Sequence, residues 1–318
     1  MILNIVLLVV GFGLLIKGAD WLVGGAASLA KRFNISELVI GLTIVAFGTS
    51  SPELVVNVLA AFRGASDIAL GNIVGSNNFN IYVILGIAGM IYPLTVKRNT
   101  VWREIPYSML TGLVLLLVAN DVFINEREPN TIDRTDGVLL LLFFLAFLYY
   151  AYLSMQTEEP TTHQIETMSV GRTVALILVG LTALVVGGKL VVDSAVDIAR
   201  LLDVSEKVIG LTIVAAGTSL PELVTSAVAA MQKRSDIAVG NVVGSNIFNV
   251  FFVLGISSII HPLEYKVLFN IDCLVFIIGN ILLFGTMFTG KRHILDRWQA
   301  AILFIVFAGY TVYLLTSR

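Results

Sequence analysis

The chain has 318 residues, of which 57% are hydrophobic and only 13% charged, and its formal net charge is −2. Soluble domains carry roughly a quarter of their residues charged, so water is not the main solvent here. With no basic run interleaved with aromatics, nucleic acid is set aside as a partner, and a lone cysteine, Cys273, excludes an intrachain disulfide or a Cys/His soft-metal cluster.

The first thirty residues lack a basic start and stay apolar to Ala30, so they read as a first span and not as a cleaved signal. Breaking the apolar pattern at charged, proline-containing or polar segments predicts five helices near 3–30, 36–62, 67–92, 100–120 and 136–155. Five more follow near 171–200, 205–231, 236–261, 267–288 and 296–315. Such lengths match the roughly 20 residues that cross about 30 Å of hydrocarbon. The polar stretch QTEEPTTHQIETM, 156–168, reads as a solvated linker. The predicted division is a first five-helix repeat at 1–155, a polar cytoplasmic linker at 156–170 and a second five-helix repeat at 171–318.

A shift of 169 residues lays Ser36–Gly86 onto Ser205–Gly255 with about 33 of 51 positions identical, which marks an internal repeat. Each half holds an odd number of spans, so the second must enter the bilayer from the opposite side, and the repeats are inverted. The fold class expected is therefore an all-α membrane protein of ten transmembrane helices in two inverted five-helix repeats. Lys and Arg number about eleven in the segments on one side and about seven on the other, which places the N-terminus outside.

Within the repeat the first copy reads GLTIVAFGTSSPEL from Gly41 and the second GLTIVAAGTSLPEL from Gly210, so Glu53 and Glu222 fall deep in apolar helices. A charge at the bilayer centre costs about 2.5 to 3.5 kcal/mol on insertion scales, so the pair must be partnered, protonated or cation-bound. Pro52 and Pro221 lack an N–H and should free the carbonyls of Gly48 and Gly217 four residues earlier. Thr49, Ser50, Thr218 and Ser219 add hydroxyl oxygens on the same turns.

A second cluster reads SDIALGNIVGSNNFN from Ser66 and SDIAVGNVVGSNIFN from Ser235, where Ser76 and Asn80, like Ser245 and Asn249, are four apart and share a helical face. Asn72, Asn77, Asn241 and Asn246 read as further ligands or, more in keeping with amides beside glycine in packed helices, as groups bonding between helices. Lys17 with Asp20 and Lys189 with Asp193 read as local ion pairs, and Gly11, Gly13, Gly18, Gly24, Gly25, Gly187 and Gly188 as small residues along which helices slide. Carboxylates, hydroxyls, amides and carbonyls together suit Ca²⁺, which takes 6 to 8 oxygens, while smaller cages suit Na⁺. Two negative charges balance one divalent or attract two or more monovalent ions, so competition for them couples the fluxes.

Two copies of G-T-S-x-P-E, each followed by G-N-x-x-G-S-N-x-F-N, resemble the alpha repeats of the cation/calcium exchanger superfamily, in particular prokaryotic sodium/calcium exchangers. The resemblance implies alternating access, with central sites lined by the second, third, seventh and eighth spans and the first and sixth sliding past them. Carried onto matching positions, it implies ion ligation by Glu53, Glu222, Thr49, Ser50, Thr218, Ser219, Ser76, Ser245, Asn80 and Asn249, with backbone oxygens of Ala46 and Ala215. Similar exchangers often carry aspartate where this chain has Asn249, so potassium co-transport is not expected. Proton/calcium exchangers usually show G-N-A-x-E instead of G-T-S-x-P-E, which favours Na⁺ over H⁺.

The expectation is a secondary antiporter exchanging Na⁺ for Ca²⁺ in a prokaryotic plasma membrane, with the lipid bilayer as its surroundings. No cofactor and no obligate protein partner are expected. An H⁺/Ca²⁺ antiporter is the alternative. A hydrolase would need a base beside a nucleophile, yet His163, His261 and His293 fall in linkers or at span ends. An inverted repeat with a midplane site also suits alternating access better than an open channel.

Overall fold

The computed structural model describes residues 2–120, 130–157, 168–202 and 215–317. Helices α1 (Ile2–Phe33), α2 (Glu37–Thr49), α3 (Ser51–Phe62), α4 (Ser66–Ile91), α5 (Thr100–Val118) and α6 (Arg134–Thr157) form the first half. The second holds α7 (Val170–Leu201), a short turn at Ala215–Gly217, α8 (Leu220–Met231), α9 (Ser235–Ile260), α10 (Phe269–Thr286) and α11 (Arg297–Ser317). Among the described residues eight helices are long and apolar enough to cross a bilayer, and α2 with α3, bent by 47°, makes a ninth. The predicted span 205–231 is described only from Ala215 onward; its first part, and most of the predicted linker, lie outside the described residues.

Local chemistry sets the ends. Ser36 Oγ accepts from the Val39 N–H at 3.3 Å to start α2, and Ser169 Oγ accepts from the Arg172 N–H at 3.4 Å to start α7, each satisfying a donor that has no partner within the helix. Pro52 and Pro221 sit in the first turn of α3 and α8, where a missing N–H costs nothing. The turn that closes α3 places Gly64 at φ +66, and the matching position after α8 holds Lys233 at φ +60, a left-handed backbone that only glycine adopts without strain.

The inversion is visible in how α1 meets α7. A Cβ built on Gly11 would lie 2.9 Å from Gly187 O, one on Gly18 2.8 Å from Gly180 O, and one on Gly25 3.2 Å from Thr173 O. As numbers rise on α1 they fall on α7, so matching helices of the two halves run antiparallel. This glycine seam lets the backbones touch, as bilayer helices do when packing replaces the hydrophobic effect. Ser28 and Thr173 hydroxyls close one end at 3.0 Å. Of the small residues expected to let helices slide, Gly11, Gly18, Gly25 and Gly187 lie in the α1–α7 contact and a Cβ on Gly188 would lie 3.8 Å from Pro221, whereas Gly13 and Gly24 meet nothing among the described residues.

The halves are also exchanged at their edges. The two-residue strand β1 (Leu94–Thr95) pairs with β4 (Ile294–Leu295), and β2 (Thr131–Ile132) with β3 (Leu263–Glu264), both antiparallel. The last helix of each half therefore packs on the third span of the other: α11 on α4 and α6 on α9. Inside its own half each last helix is held by a phenol, Tyr150 donating to Glu104 and Tyr310 to Asp272.

Candidate ion-binding site

Both carboxylates lie at the break of a span. Ser50, at φ −82 and ψ 9, interrupts the helix between α2 and α3, and Ser219, at φ −87 and ψ 7, repeats that geometry before α8. Glu53 and Glu222 follow in the first turn of α3 and α8, each 1% exposed. Their carboxylates thus sit at helix N-termini, where free N–H groups favour negative charge.

The geometry crosses from half to half. Ser50 Oγ donates to Glu222 Oε1 at 2.8 Å and lies 2.9 Å from Ser245 Oγ. Reciprocally, Ser219 Oγ donates to Glu53 Oε1 at 3.2 Å and lies 3.1 Å from Ser76 Oγ, which itself reaches Glu53 Oε1 at 3.5 Å. In each carboxylate the other oxygen, Oε2, is buried with no hydrogen-bond partner. A buried carboxylate oxygen without a donor is costly, and a cation between the halves would satisfy both at once.

Asn80 and Asn249 add a second reciprocal pair. Asn80 Nδ2 donates to Asn246 Oδ1 at 2.9 Å, and Asn249 Nδ2 to Asn77 Oδ1 at 3.0 Å. Their amide nitrogens are thereby held by the opposite half, and Asn80 Oδ1 and Asn249 Oδ1 remain buried and unpartnered. Both residues lie in π-helical stretches, Asn80–Ile84 and Phe248–Leu254. The widened turn is a common device for re-aiming side chains at functional sites, and it has no signature in the repeat motif.

Thr49 Oγ1 donates to Asn241 Oδ1 at 3.0 Å, and Thr218 Oγ1 to Asn72 Oδ1 at 3.2 Å. The four asparagines read from the sequence as interhelical amides do bond between helices: each has a contact with the other half, and Asn72 and Asn241 also bond within their own half, to Asn57 and to Glu222 and Ser226. The carbonyl of Ala46 accepts the Ser50 N–H at 3.0 Å and lies 3.4 Å from Thr49 Oγ1, whose one proton goes to the nearer Asn241 Oδ1, so a second lone pair is left for an ion. Ala215 opens the short turn at the corresponding place.

Gly48 and Gly217 serve packing. A Cβ there would meet Leu181 at 2.4 Å or Val192 at 2.5 Å, both on α7, so the glycines admit the α1–α7 pair against the site. Two expected ion pairs are corrected: Asp20 accepts from Gln232 Nε2 at 2.8 Å instead of from Lys17, because α1 packs on α8 there. Lys189 and Asp193 form no ion pair among the described residues, and both side chains are exposed.

The two sides of the site differ in cover. Thr49, Ser245 and Asn241 are fully buried, whereas Thr218 and Asn72 are half-buried. Along α9, Gly240 and Gly244 pack so closely on α2 that a Cβ would lie 2.8 Å from Leu38 O or 2.6 Å from Leu42 O. Along α4, a Cβ on Gly75 would meet nothing among the described residues, and the segment that corresponds to the start of α2, 206–214, lies outside them. Ion pairs follow the same division: Lys97–Asp236 spans 2.9 Å with Asp236 12% exposed, but Lys266–Asp67, its counterpart, is 57% and 56% exposed. Arg234 reaches the buried Glu37 at 2.6 Å on the covered side.

The comparisons agree with this reading of the fold. The family model for sodium/calcium exchanger protein matches residues 3–153 and 172–316. The chain is 36% identical to the inner membrane protein YrbG of Escherichia coli over 89% of each chain. It is 31% identical to the sodium/calcium exchanger MaX1 of Methanosarcina acetivorans over 98% of each. A solved structure of the sodium-calcium exchanger NCX_Mj, soaked with Na⁺ and Ca²⁺, superposes with a TM-score of 0.82 at 32% identity, covering 100% of this chain and 99% of that one. With its inverted halves, its buried oxygen-lined centre and these matches along nearly its whole length, the chain belongs to the sodium/calcium exchanger family, a family of membrane cation exchangers and not of enzymes.

Proposed function

We propose that the protein is a secondary antiporter exchanging Na⁺ for Ca²⁺ by alternating access at one central site with two glutamates. The observation that carries this reading is the crosswise pairing of each carboxylate with a hydroxyl of the other half, leaving Glu53 Oε2, Glu222 Oε2, Asn80 Oδ1 and Asn249 Oδ1 buried and unpartnered. Those oxygens, with the hydroxyls of Thr49, Ser50, Ser76, Thr218, Ser219 and Ser245, make an all-oxygen cage suited to Ca²⁺ or Na⁺. The names of MaX1 and NCX_Mj, both sodium–calcium exchangers, support the choice of ions.

Coupling follows from electrostatics. Two uncompensated carboxylates in a low-dielectric centre oppose reorientation of the empty site, whereas one Ca²⁺, or two or more Na⁺, neutralise them. The α1–α7 pair, joined by its glycine seam, passes over Gly48 and Gly217, so that sliding covers one side of the site as it uncovers the other. The half-buried Thr218 and Asn72 mark the open side, which faces outward if the N-terminus is outside; the linker 156–170 is then cytoplasmic.

Purified protein in Na⁺-loaded liposomes, diluted into Na⁺-free buffer with trace radioactive Ca²⁺ at equal pH, tests the reading. Uptake that needs internal Na⁺ and survives a proton ionophore supports it; uptake driven only by a pH gradient overturns it in favour of H⁺/Ca²⁺ exchange.

A further inference from the structure

Asn241 differs from its repeat partner Asn72 in one respect that bears on the ion. The Asn241 Nδ2 group donates to the Glu222 backbone oxygen at 3.3 Å and to Ser226 Oγ at 3.0 Å. A backbone carbonyl can only accept, so the amide cannot be flipped, and Oδ1 must face Thr49. A side-chain amide oxygen also only accepts. The 3.0 Å contact between Thr49 Oγ1 and Asn241 Oδ1 therefore requires the hydroxyl proton to point at Asn241. Both residues are fully buried, so no water competes for that proton.

In the other half the logic fails. Asn72 Nδ2 donates to Asn57 Oδ1 at 2.9 Å, and Asn57 is itself an amide whose Nδ2 is buried without a partner. Turning both amides over keeps that bond, presents Asn72 Nδ2 to Thr218, and frees the Thr218 proton. The cause is one departure in the repeat: where the second copy has Ser226, the first has Asn57.

We propose that Asn241 is a positioning residue which pins the Thr49 hydroxyl proton away from the ion, so that Thr49 offers only lone pairs on the Glu222 side. Thr218 on the Glu53 side is not pinned by Asn72. The site is thus nearly symmetric in its residues and asymmetric in its protons, with a preformed cation-accepting hydroxyl on one side only. This inference rests on the proposed two-glutamate site. Ser226 Oγ and the Glu222 carbonyl act through Asn241 and need not touch the ion.

The test is a double-mutant cycle on apparent Ca²⁺ KM and maximal exchange rate, made with the full-length protein in liposomes. Asn241→Ala and Thr49→Val are each expected to raise KM about tenfold, the size of one lost polar contact, with little change in maximal rate. The double variant is expected to rise no further, because both remove the same oriented oxygen. Ser226→Ala, which loosens Asn241 without touching Thr49, is expected to leave KM within about twofold, and Asn72→Ala to shift it less than Asn241→Ala does. Additive effects in the cycle would show that Asn241 acts through helix packing and would overturn the proposal. Equal shifts for Asn72→Ala and Asn241→Ala overturn the asymmetry. Glu222→Gln separates the two levels: if it leaves exchange intact, the site itself is wrong, whereas loss of exchange with an additive cycle refutes the role of Asn241 alone.

Discussion

Helices α4 and α9 begin with nearly the same words, SDIALGNIVGSN and SDIAVGNVVGSN, yet they meet different surroundings. Ile68 near the start of α4 is 58% exposed, while Ile237 at the same place in α9 is 0% exposed. Nearly identical local sequence cannot cause that difference: α9 lies against α2, whereas the residues corresponding to the start of α2, 206–214, lie outside the described residues. In the reading proposed above the covered and uncovered ends are two roles that the halves exchange, and the structure records one of the two assignments. The comparison also explains the dense glycines of α9: Gly240 and Gly244 are used here against α2.

The largest expected effect strikes both sides equally. Glu53→Gln or Glu222→Gln should abolish Na⁺-dependent Ca²⁺ flux, since the amide keeps the size and loses the charge, with an unchanged elution profile and melting transition. Flux at the wild-type level in both variants would remove the two glutamates from the mechanism.

Next come the glycines, which break the comparison apart. Gly244→Ala places a Cβ against Leu42 O at 2.6 Å and should destabilise the covered side by about 1–3 kcal/mol, read as a lower melting temperature. Gly75→Ala meets nothing among the described residues and should leave stability and Ca²⁺ binding intact. If the halves exchange roles, its methyl then blocks the opposite arrangement, and exchange flux falls while binding persists. Undiminished flux in Gly75→Ala would mean that α4 never packs as α9 does here.

Accessibility sharpens the same contrast. Cysteine at position 68 should react with a membrane-impermeant maleimide and cysteine at 237 should not, with the native Cys273 silent because it is 1% exposed. Ion conditions that reverse the arrangement should reverse the labelling.

The smallest effect concerns the paired charges at the two ends. The Asp67 carboxylate accepts from Lys266 and raises its amine above the ordinary lysine range. A raised lysine contributes its stability fully below the unfolded value near 10.4 and loses it as pH climbs through the higher folded value. Asp67→Asn should return the Lys266 titration, followed by NMR of labelled lysine, to the ordinary range with hardly any change in melting. Asp236→Asn, on the covered side, should lower the melting temperature more.

Much of this was legible in the residues. Ten apolar segments with charged breaks predicted helix bounds within a few residues of α1, α4, α5, α6, α7, α9, α10 and α11. The repeat singled out Glu53 and Glu222 because an acidic side chain in a long apolar run is expensive and its duplication is not accidental. The ion pairs assigned to Lys17–Asp20 and Lys189–Asp193 were misleading, because spacing along one helix says nothing of a competing partner such as Gln232. The π-helical turns at Asn80 and Asn249, and the use of Gly48 and Gly217 against α7, leave no periodic trace.

The sequence by itself determined that the chain is a duplicated, inverted membrane bundle with two buried carboxylates among hydroxyls and amides, because apolar length, odd span number and residue chemistry are local or countable properties. Only the tertiary structure decided that each carboxylate takes a hydroxyl of the other half, that the last helix of each half packs on the third span of the other, and that α9 is closely covered by α2. Those are relations between surfaces far apart in the chain, and two nearly identical segments can differ in them because packing, unlike propensity, depends on what lies across the interface.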